Sequence, residues 1–137
     1  MPRTAGKGRM RQAGFTLIEM VMVVAIIGIL LAMAVPSYRS TIRASQEAVL
    51  RDDLFQMRSL IDQYTLDKQQ APQSLDDLVT AGYLRAIPKD PFTNSSTTWQ
   101  TSSDDSVMSA DQTESGINDV HSGASGVGLD GTAYSSW

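Results

Sequence analysis

Few residues of this chain have a type and spacing that could do chemistry, and the most telling is a carboxylate among hydrocarbon. Glu19 is the single charge in the 21-residue run FTLIEMVMVVAIIGILLAMAV, Phe15 to Val35. An ionisable side chain inside a membrane-length segment costs roughly 2.5–3.5 kcal/mol on insertion scales, so it marks a function by default. Elsewhere the inventory is thin. His121 is the sole histidine. With no nucleophile or second ligand at a recognised spacing, it reads as a plain strand residue rather than a base or a metal ligand. No GxSxG, phosphate loop, HExxH or paired-carboxylate signature occurs, so the chain is not expected to be an enzyme. The absence of cysteine excludes a disulfide framework, thiolate metal sites and a cysteine nucleophile.

The run that carries Glu19 must be a helix. At about 1.5 Å per residue it spans about 31 Å, close to the hydrocarbon thickness of a bilayer. Arg3, Lys7, Arg9 and Arg11 precede it without an acidic companion. The positive-inside tendency therefore leaves the N-terminus in the cytoplasm and sends the remainder across. Without those four, seven basic residues face fifteen acidic ones, a balance of −8. A body that acidic repels phosphates, so no nucleic acid partner is expected. Two plainer readings compete: a secretory signal cut at Ala32–Ala34, and a simple single-span anchor. Neither requires Glu19, nor the Gly14-Phe15 junction at the start of the run.

The hexapeptide GFTLIE, Gly14 to Glu19, resembles the processing signal of the type IV pilin superfamily. That resemblance implies a leader over residues 1–14, removed by a prepilin peptidase that cuts between Gly14 and Phe15 and methylates the new Phe15 amine. A Glu19 carboxylate can then pair with the amine of a neighbouring subunit, an arrangement better suited to setting register than to adding stability. Pro36 also resembles the family, which often carries a proline at this depth where the helix kinks or unwinds. Gly28 is a candidate for close packing between spans. Residues 15–36 are then the transmembrane and polymerisation helix.

Beyond Pro36 the pattern stays helical to about Lys68. Leu50, Leu54, Met57, Ile61 and Tyr64 recur at spacings of four, three, four and three and mark one apolar face. Arg39, Arg43, Arg51, Asp52, Asp62 and Asp67 are read as a solvated face around it. Residues 37–68 thus form the amphipathic half of one long helix, and residues 69–137 a small head. Gln69–Gln73, with Pro72, breaks the helix. Ser74 and Asp77 resemble a capping box opening a short helix over Leu75, Leu78 and Val79, which stops at Gly82. Tyr83–Phe92 is expected to be mainly extended, because Pro88 and Pro91 push their predecessors out of the helical region. Short strands are expected at Thr97–Thr101, Ser106–Ala110 and Gly116–Ser122, with Asp104-Asp105 in the first turn. The glycine-rich tail ends on Trp137, which either docks on the head or frays. The fold class is α+β, a long N-terminal helix on a small antiparallel sheet.

GYLRAIPKDPF, Gly82 to Phe92, resembles one branch of that superfamily, the major pseudopilins of type II secretion. The branch implies a structural subunit of a secretion pseudopilus that supports protein export. Its implied partners are copies of itself, minor pseudopilins, the prepilin peptidase and an inner-membrane assembly platform, with the head in the periplasm. It also implies calcium in a C-terminal loop, for which this chain offers only Asp119 and Asp130 as carboxylates, with Ser122 and a few other serines nearby. Calcium seeks six to eight oxygens, several of them charged, so these are thin candidates and no cofactor is expected. A type IV pilus subunit serving adhesion, motility or DNA uptake is the alternative. A membrane-anchored binding module that never polymerises is a second, though it leaves Glu19 without a partner.

Overall fold

The structure is a computed structural model that describes residues 1–2, 13–103 and 115–137. Two compact units make up the chain, Met1–Arg39 and Ser40–Trp137. The leader charges Arg3, Lys7, Arg9 and Arg11, the expected strand Ser106–Ala110 and the Asp104-Asp105 turn lie outside the described residues. The architecture is α+β and pilin-like: a long N-terminal helix with a small antiparallel sheet.

Helix α1 runs from Leu17 to Lys68, 52 residues. In the first unit its side chains are all exposed, the large apolar ones from Leu17 to Val35 at between 45% and 83% of their accessible area. An uncovered apolar surface of that length belongs against lipid or other apolar helices. The helix is not unwound at Pro36, although proline brings no N–H to bond the carbonyl four residues earlier.

In the second unit the same helix turns amphipathic, and the spacing expected from the sequence holds. Leu50, Leu54, Met57 and Ile61 are at most 1% exposed, each gaining roughly 1.5–3 kcal/mol from burial. Tyr64 packs at their margin. The stripe begins earlier than the apolar residues do. Glu47 sits three residues before Leu50 and is itself buried. Gln69 ends α1 in the left-handed region, φ 56°.

Helix α2, Leu75–Thr80, opens as the Ser74–Asp77 pair predicts. The Asp77 carboxylate accepts the backbone N–H of Ser74 at 3.0 Å and of Gln73 at 2.7 Å. It closes in a Schellman arrangement, Gly82 N–H to the Val79 carbonyl and Tyr83 N–H to the Leu78 carbonyl. Gly82 takes φ +84°, a conformation that glycine adopts without a steric cost. The following stretch to Asp90 has no regular strand and runs into a turn over Pro91–Thr93.

Two strands are present among the described residues. Strand β1 covers Gln100–Ser103, shifted C-terminal to the expected Thr97–Thr101, and β2 covers Ile117–His121. The shift has a local cause, since the turn after Asp90 is still hydrogen-bonding through Ser95, Thr97 and Thr98. The strands pair antiparallel, Gln100 opposite His121 and Ser102 opposite Asp119, with an irregularity between Ser102 and Ser103. β2 turns Ile117 and Val120 inward, where they join Leu75, Leu78, Trp99, Ala124 and Tyr134 in one core with the α1 stripe. Beyond β2 the tail folds back on itself through a Val127–Ala133 bridge. Trp137 docks, its ring edge-on to Tyr134 at 5.1 Å. A side chain at Gly128 would collide with that indole.

Candidate processing and assembly site

Residues 13–16 precede the first helical residue, Leu17, and are exposed. The Gly14–Phe15 bond thus lies in non-helical chain, and Phe15 keeps 75% of its accessible area. What sets the boundary is Thr16. Its carbonyl accepts the first helical bond, from Met20 N–H at 3.2 Å, and its hydroxyl oxygen accepts Glu19 N–H at 3.3 Å. Thr16 is the N-cap and Glu19 the third helical residue, the spacing of a capping box. The sequence reading took Glu19 for its charge and overlooked this. The signal was there, as T-x-x-E ahead of an apolar run. A carboxylate in the first turn also faces the positive end of the helix dipole. Pro36 lies farther along the same unit, inside the helix.

The head holds a second set of polar residues, gathered where the tail lies along α1. Arg43, Arg51 and Arg58 all reach the tail. For Arg43 and Arg51 this corrects the reading of a merely solvated face. Arg43 Nε donates to Tyr134 Oη at 3.1 Å and its Nη2 donates to the Val127 carbonyl. Buried Glu47 accepts Leu129 N–H at 2.8 Å and Tyr134 O–H at 2.9 Å. Arg51 meets Asp130 at 3.2 Å and lies 4.1 Å from the centre of the Trp137 ring. Arg58 donates to Asp119 at 2.6 Å, to the Val120 carbonyl at 2.8 Å and to a Trp137 main-chain oxygen at 2.7 Å. Glu47 and Arg58 escaped the sequence reading. Glu47 had a signal, since it continues the three-and-four spacing of the buried stripe.

The three calcium candidates do not converge. Asp119 is engaged by Arg58 and by His121 Nε2 at 3.4 Å. Burial works to raise its carboxyl, but the Val120 N–H and the Arg58 guanidinium outweigh that and hold it below the usual carboxylate range. Asp130 accepts the Thr132 hydroxyl at 2.7 Å and the Thr132 N–H at 3.0 Å besides Arg51, and those bonds hold it below the usual range too. Ser122 is wholly buried elsewhere, donating to Asp90 Oδ2 and accepting Ala124 N–H at 3.1 Å. Among the described residues no three His, Cys, Asp or Glu side chains cluster as metal ligands. His121 Nδ1 lies 2.6 Å from the same Trp137 main-chain oxygen. The adjacent Ser122 hydroxyl bonds Asp90, so the two form no nucleophile–base pair.

The geometry of the first unit agrees with what the chain is similar to. The prokaryotic N-terminal methylation motif matches residues 9–35. Type II secretion system core protein G of Aeromonas hydrophila is 31% identical over 100 residues, 61% of this chain and 70% of that protein. The protein of the same name from Pseudomonas aeruginosa is 35% identical over 102 residues, 63% of this chain and 72% of that protein. The type IV major fimbrial protein FimA of Dichelobacter nodosus is 40% identical over 86 residues, 63% of this chain and 54% of that protein. No solved structure matches significantly. The chain belongs to the type IV pilin superfamily and is most like the core protein G, the major pseudopilin, of type II secretion systems.

Proposed function

We propose that this chain is a structural subunit of a type II secretion pseudopilus and does no bond chemistry of its own. The observation that carries the reading is the pairing of one wholly uncovered apolar helix, with a single charge near its start, to a small folded head. The helix is inserted in the inner membrane with its N-terminus in the cytoplasm and the head in the periplasm. A prepilin peptidase cuts between Gly14 and Phe15, where the chain is exposed and non-helical, and methylates the Phe15 amine. Removing the basic leader leaves that amine as the only cation near Glu19, and in hydrocarbon the two attract strongly across a subunit boundary. Helices then associate in register into a fibre, with Pro36 inside the polymerising segment. The assembly platform and minor pseudopilins are its further partners.

A type IV pilus subunit is the second reading, favoured by the 40% identity to the FimA protein. That match covers 54% of the relative, against 70% for core protein G of Aeromonas hydrophila. The shares of this chain that they match are nearly equal, 63% and 61%. Mass spectrometry of the mature chain tests the processing step: an N-terminus at Phe15 bearing one methyl group is expected. An N-terminus after Ala34, or intact Met1 beside an active peptidase, would overturn it. Deleting the gene and assaying export separates the two readings. Loss of exoprotein secretion with surface pili intact supports the pseudopilus, and the reverse supports the pilus.

A further inference from the structure

The relatives' branch implies a calcium ion that closes the C-terminal loop, and among the described residues the donor set does not fit one. Calcium takes six to eight oxygens at 2.3–2.6 Å, anionic ones above all. Here the oxygens of the tail accept from guanidinium groups instead. Asp119 and Asp130 each have an arginine within 3.2 Å, and the Val120 and Val127 carbonyls and a Trp137 main-chain oxygen each accept an arginine N–H. A divalent cation placed there meets fixed positive charge on the helix side, and the carboxylates are already neutralised.

The arrangement has an order. Arg43, Arg51 and Arg58 are eight and seven residues apart, about two helical turns each, so they advance along one side of α1. Their tail partners advance with them: Val127 for Arg43, Asp130 for Arg51 and a Trp137 main-chain oxygen for Arg58. Helix and tail are fastened in register, from the start of the loop to the last residue. Each arginine does what a point charge would not. Arg58 serves the Asp119 carboxylate, the Val120 carbonyl and a Trp137 main-chain oxygen with one planar fork, and Arg51 pairs Asp130 while stacking on Trp137. Beside Arg43, Glu47 provides the complementary acceptor, taking the Leu129 N–H and the Tyr134 O–H.

We propose that Arg43, Arg51 and Arg58 take the place of a divalent cation in closing the C-terminal tail on the head, so that the folded head does not depend on calcium. The inference concerns the head alone and stands whichever fibre the chain builds. The test uses the full chain in detergent micelles, melted while tryptophan fluorescence is followed, in millimolar calcium chloride and separately in excess EGTA. The two melting temperatures are expected to coincide, and limited proteolysis is expected to cut the tail equally slowly in both. Arg51→Gln and Arg58→Gln should lower the melting temperature by the same amount in either medium and speed tail cleavage. Arg58→Lys should recover only part of the loss, because an ammonium cannot span three acceptors. A rise of several degrees on adding calcium to the unaltered chain would overturn the proposal. So would arginine variants that melt and resist protease as the unaltered chain does. Should Arg58→Gln fail to fold, Arg51→Gln, whose side chain is 54% exposed, still decides.

Discussion

At Glu19 two physical roles coincide, and they can be separated. As the third residue after an N-cap threonine, whose hydroxyl accepts its N–H, it holds the position from which a glutamate side chain can complete a capping box. As a carboxylate near the expected Phe15 amine it supplies a charge for register. Glutamine serves a capping box nearly as well as glutamate but carries no charge. Glu19→Gln should therefore leave insertion and Gly14 cleavage intact and abolish fibres as completely as Glu19→Ala does, by electron microscopy of sheared material. Normal fibres from the glutamine variant, with none from alanine, would mean that the cap and not the charge matters. The resemblance picked out this residue because its surroundings are local. Glu47 is the opposite case, a second carboxylate among apolar positions, 3% exposed, whose hydrogen-bond partners Leu129 and Tyr134 lie more than eighty residues away.

Among the elements, the short helix and the long one are stabilised by different means, and the predictions differ accordingly. α2 has only six residues, too few to stand on propensity, so its ends matter. Asp77→Ala strands two backbone N–H groups and should cost about 1 kcal/mol, seen as a lower melting temperature for the full chain in micelles. α1 is stabilised in the head by its stripe, and Leu54→Ala should cost about 2–5 kcal/mol by leaving a cavity. Both elements were legible in the sequence. A spacing of three and four, and a serine with an aspartate three residues later, are short-range patterns. The strands were less so, because β1 begins where the Asp90 turn lets go.

For the whole molecule, the charged contacts predict how the head responds to acid. Asp119 and Asp130 have carboxyls lowered on folding. Their contribution is thus fully present above the unfolded carboxylate pKa of about 3.9 and is lost as pH falls through the lower folded values. The Trp137 environment should accordingly change below about pH 4, read by fluorescence with Trp99 replaced by phenylalanine. Asp53 runs the other way. Burial first, then Asp52 and Asp90, raises its carboxyl, so its charge costs stability at neutral pH and the cost fades as pH falls through the raised value. Asp53→Asn should raise the melting temperature at pH 7 and lose that advantage toward pH 4, the reverse of the tail aspartates.

What this sequence determined by itself is whatever consecutive residues settle among themselves. The apolar length, the basic flank, GFTLIE, the helix stripe, the cap before α2 and the Gly82 stop each depend on neighbours within a few positions, where helical spacing and backbone preference act directly. Tertiary structure decided the fate of the polar side chains. Arg43 meets Tyr134 across 91 residues and Arg58 meets Asp119 across 61, separations at which no periodicity relates the partners. An arginine beside an apolar stripe looks the same whether it points to water or to a loop. Only the path of the tail brings carbonyls and carboxylates within its reach, and that path is set by the burial of Val120, Ala124 and Tyr134 against α1.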